Sequence, residues 1–277
     1  MADMVVLGLA SALAFGLCDF VAGVASRRLS FWWVALLSLL ASVAGAWVLV
    51  LVAGDELSAR AVLWGLAAGG GAATGATALY RGYGRGQMAV AGPLSALGAA
   101  SFPAVVGALL GERLPAAALA GVILALPAIW WMSSTRSDGR GTARVGVPEG
   151  LVSGVGFALE FVGLKRAGDA AGLVPVAVSQ TVALVLVAAV VALVRPRLRV
   201  GAAPVALAAG AGLLSLLATA AYFLAAHAGL LTVAAILASL YPGVTVATAA
   251  VVLHERPDRR QLAGLVLGAV AVTLIVA

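Results

Sequence analysis

Long apolar runs separated by short polar or charged turns dominate the pattern of this chain. Because a helix that crosses a bilayer needs about 20 mostly apolar residues, these runs predict ten transmembrane helices. The runs lie at residues 4–25, 32–53, 61–80, 88–110, 115–132, 148–164, 172–194, 204–226, 231–253 and 260–276. The expected fold class is therefore an all-α integral membrane protein.

One longer break between the runs divides the chain close to its midpoint. We predict two five-helix repeats at residues 1–133 and 148–277, joined by a linker loop at 134–147. Shifting the sequence by 143 residues places Glu112-Arg113 on Glu255-Arg256 at matching helix ends. A repeat with an odd number of helices re-enters the membrane from the opposite face. The halves are therefore expected to be inverted repeats, with a binding site between them near the midplane.

The composition supports lipid rather than water as the solvent. The chain is 63% hydrophobic and 10% charged, whereas soluble domains are about 45–50% apolar and about 25% charged. The net charge of +6 comes from basic residues clustered between apolar runs, which indicates contact with anionic lipid and no nucleic-acid partner. With a single cysteine and two histidines, we expect no disulfide, metal site or other cofactor.

The basic residues also predict an orientation. In the ten-helix arrangement only Arg60, Arg113, Lys165 and Arg166 lie on one side, and the rest of the 17 basic residues lie on the other. The positive-inside rule makes the richer side cytoplasmic and puts both termini outside. We expect a multi-pass protein of the plasma membrane, and the sequence leaves a homodimer open.

The doubled helix-end motif resembles a known family. The segment Leu109-Leu110-Gly111-Glu112-Arg113-Leu114-Pro115 and its second copy, Val252-Leu253-His254-Glu255-Arg256-Pro257, resemble the EamA-type domain of the drug/metabolite transporter superfamily. The step Leu240-Tyr241-Pro242 is similar to one in that family's fourth helix. The resemblance implies ten helices and transport of a small molecule. It also implies termini in the cytoplasm, opposite to the charge count.

Two carboxylates lie well inside apolar runs and are the first candidates for chemistry. Asp19 and Glu160 each stand in the first helix of a half, within one residue of equivalent positions. A carboxylate inside a membrane is costly, so it usually faces a cavity or a partner. We interpret the two as substrate- or proton-binding residues. The alternative is that Asp19 pairs with Arg27 or Arg28, and Glu160 with Lys165.

Further polar side chains at membrane depth are candidates for lining a cavity. They are Tyr80, Arg81, Gln180 and Tyr222, with Tyr241 added by the family resemblance. Arg81 follows Tyr80 in a glycine-interrupted segment that could meet an anionic substrate group. The alternatives are an interfacial belt for Arg81 and interhelical hydrogen bonding for Gln180.

Two prolines are candidate hinges. Pro103 and Pro242 lie within predicted helices, where a proline removes a backbone hydrogen bond and can kink the helix. Prolines are also commoner in membrane helices, so a purely structural role stays open.

The function expected is that of a secondary transporter, an exporter of a small organic metabolite or toxic compound by alternating access. Coupling to protons would use Asp19 and Glu160. One alternative is a membrane-embedded enzyme acting on a lipid-linked substrate, and another is a non-transporting sensor or assembly subunit. The enzyme would need a cluster of nucleophile, base or metal ligands, and the sequence has one cysteine and two separated histidines. We therefore expect no enzymatic activity.

Overall fold

Each apolar run predicted from the sequence forms α-helix. The computed structural model describes residues 2–26, 28–84, 88–133, 146–196, 202–254 and 258–276, and no strand occurs in these ranges. The helices are α1 (Ala2–Ser26), α2 (Phe31–Ala53), α3 (Ala59–Gly84), α4 (Met88–Leu109), α5 (Ala116–Ser133), α6 (Gly146–Ala167), α7 (Val174–Val194), α8 (Ala202–Ala228), α9 (Leu231–Ala238), α10 (Tyr241–Val252) and α11 (Arg259–Val276). Most of the predicted linker and the Glu255-Arg256-Pro257 motif lie outside the described residues.

The prediction of ten apolar helical runs is confirmed for the described residues. Eight apolar stretches are long enough to cross a bilayer, and shorter apolar helices at Leu94–Leu109 and Ala116–Met132 complete the ten. The outer faces of the helices carry exposed aliphatic side chains, such as Val52 at 82% and Leu193 at 84%. Such surface is stable only against lipid, since water would penalise its exposure.

The ninth crossing is broken, whereas the sequence pattern predicted one helix over 231–253. α9 ends at Ala238 and α10 begins at Tyr241. Pro242 is the cause, because it has no N–H to donate to the carbonyl of Ala238 four residues earlier. Here the backbone uses three-residue bonds, with Leu240 N donating to Leu237 O at 3.2 Å. The break lies near the middle of the crossing.

The two halves of the chain interleave. α3 packs against α6 and α7, α1 packs against α8, and α5 packs against α11. The largest buried cluster accordingly draws residues from both halves, with Ala46 and Ala99 from the first beside Phe161, Tyr222 and Phe223 from the second. The hydrophobic core therefore lies between the halves rather than within each.

Glycines allow helices from different halves to approach closely. A Cβ atom added at Gly98 in α4 would lie 2.7 Å from the Cα of Gly154 in α6. One added at Gly71 in α3 would lie 2.5 Å from the carbonyl oxygen of Gly156, also in α6. Close backbone approach of this kind is how membrane helices gain packing energy without a hydrophobic driving force.

The contact between α5 and α11 is reciprocal. A Cβ atom at Gly121 would lie 2.7 Å from the carbonyl oxygen of Ala271, and one at Gly264 would lie 3.0 Å from that of Ala128. Both the glycines and the alanines are separated by 143 residues in the sequence. The beginning of each helix therefore meets the end of the other, and the two helices pack antiparallel through equivalent faces.

A second contact is repeated in the same way. Gly8 in α1 lies against the side chain of Leu237 in α9, and Gly150 in α6 lies against that of Leu94 in α4. The glycines are 142 residues apart and the leucines 143. The same helix pairing therefore occurs with the roles of the two halves exchanged.

The chain leaves the fourth helix of each half with the same backbone conformation. Gly111 follows α4 with φ +86°, and His254 follows α10 with φ +55°. Left-handed backbone costs glycine little but strains a residue with a side chain. The equivalent turn is thus kept in the second half although its sequence is less suited to it.

We predict that Gly98→Ala destabilises the protein while Gly70→Ala does not. A methyl group at Gly98 would collide with the backbone of Gly154, whereas nothing lies within 4 Å of one at Gly70. Overpacking costs about 1–3 kcal/mol, against a gain of about 1 kcal/mol from replacing glycine in a helix. Thermal melting of the purified variants in detergent measures the difference. Equal shifts of the melting temperature would contradict the close packing of α4 on α6.

Candidate functional site

The helix ends form two faces with different connections. We call the face where α1 begins and α11 ends the terminal face, and the opposite one the basic face. Both are defined by ten successive crossings that alternate in direction. Described contacts join the two halves at both faces. At the basic face Trp33 Nε1 donates to the carbonyl oxygen of Pro196 at 3.0 Å, whereas at the terminal face charged side chains bind helix ends and turns.

The strongest link across the terminal face is made by Glu112. Its carboxylate follows α4 and accepts hydrogen bonds from the backbone N–H groups of Leu231 at 2.6 Å and Thr232 at 3.0 Å. These N–H groups are at the beginning of α9, where the helix dipole favours a negative charge. A side chain of the first half thus caps a helix of the second.

Lys165 supports the same turn from the other side. Its ammonium group, at the end of α6, donates to the carbonyl oxygens of Ala226 and, at 2.9 Å, Gly229. These carbonyls belong to the end of α8 and the turn that follows, where a cation is favoured. The α8–α9 turn is therefore held by a carboxylate on one helix and an ammonium on the other.

Two further bonds connect the halves at the terminal face. The Asp55 carboxylate, after α2, accepts a hydrogen bond from Leu173 N at 2.8 Å. The guanidinium of Arg60 in α3 donates to the carbonyl oxygen of Arg166 at 3.0 Å. Together with the Glu112 cap, these bonds join the two halves at the terminal face.

Asp19 lies in α1 closer to the basic face and is exposed. It shares a helix face with Gly8, Ala12 and Phe15, since these positions are spaced by three or four residues. Gly8 and Ala12 on this face are buried. The face packs on α9 at Gly8 and on α10 at Phe15. Asp19 on the same face is exposed, so the packing of this face ends before Asp19 and leaves an opening there, which we call the cleft.

Aromatic and hydroxyl groups mark the inner end of this cleft. Phe15, one turn from Asp19, contacts the ring of Tyr241 with centroids 6.2 Å apart. The hydroxyl of Thr245 in α10 donates to the carbonyl oxygen of Gly16 at 3.2 Å. Beyond these contacts α1 and the broken ninth crossing are packed together, so the cleft ends near the break.

Glu160, by contrast, is enclosed. Its side chain is 6% exposed, and it lies on the face of α6 that carries Gly156 and Gly163. Those glycines pack on α3 at Gly75 and Ala68. Of the two predicted carboxylates, one is therefore accessible and the other occluded in this conformation.

Tyr222 and Gln180 are buried and bonded to protein. The Tyr222 hydroxyl donates to the carbonyl oxygen of Phe161 at 3.0 Å, and the two rings stack with centroids 4.0 Å apart. The side-chain amide of Gln180 donates to the hydroxyl of Thr219 at 3.3 Å. In this conformation the Tyr222 hydroxyl and the Gln180 amide therefore form hydrogen bonds between helices.

The remaining candidates are one arginine, one tyrosine and two prolines. Arg81 lies at the basic-face end of α3, with its Nε 4.0 Å from a carboxylate oxygen of Glu149. The side chain of Tyr80 is outside the described part of the structure. Pro103 is buried within an unbroken α4, whereas Pro242 is buried at the start of α10 beside the helix break.

Sequence reasoning did not identify the roles of Glu112 and Lys165. Glu112 entered the sequence analysis only through the helix-end motif, and Lys165 only as the alternative partner of Glu160. The structure instead directs both side chains to backbone groups of the α8–α9 turn. Backbone donors and acceptors leave no residue-specific signal in the sequence, so these partners could be found only from the fold.

Comparison with known proteins gives the family. The model of the EamA-like transporter family matches residues 145–277. Thirteen chains of solved structures also match. One of them, a crystal structure, aligns with a TM-score of 0.85 at 16% identity, covering 99% of this chain and 96% of its own. That likeness establishes the shared fold.

No curated protein matches the sequence. The resemblance carried by the helix-end motifs is nevertheless confirmed by the family match, which includes the second copy of the motif. The second half of this multi-pass membrane protein therefore belongs to the EamA-like transporter family, a group of membrane transporters of the drug/metabolite type.

Proposed function

We propose that the protein is a secondary transporter that moves a small organic compound by alternating access. In this proposal residues 1–133 and 148–277 are inverted repeats joined by the linker at 134–147. The reciprocal glycine contacts support the repeats, since they pair α5 with α11 and exchange the roles of the two halves elsewhere. An inverted repeat has two related conformations, each open to one face.

The difference between the two faces is the observation that carries the proposal. At the terminal face, charged side chains cap helix ends across the halves, whereas Asp19 is exposed in a cleft nearer the basic face. A carboxylate at that depth is tolerated when it faces water or a partner rather than lipid. The conformation is therefore one that is open to the basic face and closed to the terminal face.

The site of binding is proposed at the inner end of the cleft. Asp19 supplies a charge, and Phe15 and Tyr241 supply an apolar aromatic surface one turn deeper. Glu160 is the second carboxylate of the pathway and becomes accessible in the opposite conformation. We propose Tyr80 as a further residue of the binding site and Pro242 as the hinge at the helix break.

The direction of transport follows from the orientation that the basic residues predict. The positive-inside rule places the basic face in the cytoplasm, so the open cleft would collect its cargo there and release it outside. We propose export across the plasma membrane, driven by protons that bind to Asp19 and Glu160. The cargo is a small organic metabolite or toxic compound.

The cleft can be tested without knowing the cargo. In a Cys18→Ser background, which removes the one native thiol, Asp19→Cys should react with a charged, membrane-impermeant thiol reagent added at the basic face. Ala12→Cys on the same face of α1 is 3% exposed and should not react. Leu13→Cys is 52% exposed but should face lipid, where the charged reagent is excluded.

The labelling is measured by mass shift in sealed membrane vesicles of known orientation. Reaction of Asp19→Cys only from the terminal face, or no faster than Leu13→Cys, would contradict a cleft open to the basic face.

Removing the Glu112 cap should open the terminal face. Glu112→Ala leaves the N–H groups of Leu231 and Thr232 without their acceptor, a loss of about 1.5–3 kcal/mol for bonds to a charged group. We expect the labelling of Asp19→Cys from the basic face to fall by about tenfold or more. Arg113→Gln, at the neighbouring exposed position, is the matched control and should leave the labelling rate unchanged.

If Glu112→Ala and Arg113→Gln label alike while both remain monodisperse, the cap does not hold the terminal face closed.

Asp19→Asn should abolish the dependence of transport on a pH gradient. An amide cannot bind and release a proton at neutral pH, so coupling through this position ends while the shape of the side chain is kept. The cargo for the assay is the compound that most raises the melting temperature in a metabolite panel. Transport in proteoliposomes is then measured with and without the gradient, and unchanged gradient dependence of Asp19→Asn would exclude it as the coupling residue.

A further inference from the structure

A groove of about 660 Å³ lies on the outside of the molecule, apart from the cleft. α3 forms its floor with Ala73, Thr74 and Thr77, and α6 and α7 form its walls. α6 and α7 have few contacts with each other, because both lean on α3 and diverge above it. The groove is the space that this divergence leaves.

The walls of the groove face lipid. Val152 on α6 is 48% exposed, and Leu186 and Leu193 on α7 are 42% and 84% exposed. All three residues belong to membrane-crossing helices. An aqueous channel would not be lined by such side chains, so the expected contents are hydrocarbon.

The length of the groove matches one leaflet of a bilayer. Along α3 it extends from Ala73 to Arg81, about 12 Å at 1.5 Å per residue. The hydrocarbon of one leaflet is about 15 Å thick, half of a core of about 30 Å. The groove begins at the basic face and ends near the middle of the membrane.

The mouth of the groove carries a charge pair whose two members differ in accessibility. The side chain of Arg81 is 63% exposed, while that of Glu149, 4.0 Å away, is 11% exposed. A molecule entering the mouth therefore meets the guanidinium first. Guanidinium groups bind phosphate through two parallel hydrogen bonds.

We propose that this groove binds an anionic phospholipid of the basic-face leaflet. One acyl chain lies between α6 and α7 over Thr74 and Thr77, and the phosphate lies on the Arg81 guanidinium. Charge complementarity at Arg81, the apolar walls and the one-leaflet length all favour this occupant. The proposal assigns Arg81 to lipid rather than to the cargo, and it holds whichever compound the protein transports.

The test uses native mass spectrometry of the purified full chain, incubated with phosphatidylglycerol or with phosphatidylcholine of the same acyl chains. The wild-type protein should retain phosphatidylglycerol preferentially. Arg81→Gln should weaken that retention about tenfold, as expected for loss of a charged hydrogen-bonding partner. Arg28→Gln, an exposed arginine that follows α1 at the basic face and is not part of the groove lining, is the matched control and should retain the lipid.

A second pair of variants tests the apolar part of the groove. Ala189→Trp fills the space along α7, because Ala189 lines the groove. Ala192→Trp puts the same side chain at an exposed position that is not part of the lining. We expect loss of bound phosphatidylglycerol in the first variant and retention in the second.

Equal retention of the two lipids by the wild-type protein would overturn the proposal. So would retention by Arg81→Gln equal to that by Arg28→Gln, or retention by Ala189→Trp equal to that by Ala192→Trp. The wild-type comparison requires no variant, so a variant that fails to fold does not leave the question open.

Discussion

The first residues of α9 are buried, and buried backbone N–H groups at a helix end need partners within the protein. At the α8–α9 turn the partners are charged side chains from other helices, Glu112 and Lys165. The arrangement ties the position of the turn to helices α4 and α6. In the proposed transport cycle, closure of the terminal face would depend on these contacts together with the Asp55 and Arg60 bonds.

The same constraint explains why the core is shared. Neither half has enough contact within itself to bury its polar and small residues, and the closest helix approaches join α3 and α4 to α6, α1 to α8, and α5 to α11. Glycine at these crossings allows backbone to pack against backbone, so a displacement of a helix in one half would displace its neighbour in the other. Motion between the halves must therefore proceed by exchanging whole sets of contacts.

Much of the fold could be predicted from the sequence, because lipid enforces long apolar helices and the turns between them are short. Helix bounds differ from the predicted runs by a few residues, and the exception is the break before Tyr241. There Pro242 was recognised as a candidate hinge, but residue type alone does not predict a break, since Pro103 leaves α4 unbroken.

The candidate site could be predicted less well. Asp19 and Glu160 were found because a carboxylate stands out in an apolar run, but their different accessibilities arise from the conformation and not from residue type. Arg81 was predicted to bind the cargo, yet it lies at the mouth of the groove between α6 and α7. Contacts with backbone groups, such as those of Glu112, could not be predicted, because a backbone group leaves no signal in the sequence.

The helix break makes the two halves mechanically unequal. α4 is continuous through Pro103, whereas its counterpart is divided at Ser239 and Leu240 into α9 and α10. The second half can bend within a helix, and the first must move α4 as a rigid rod. In the proposed alternating-access cycle, opening to one face and opening to the other would therefore be different movements with different barriers, and the rates of the two half-cycles would differ even without a gradient.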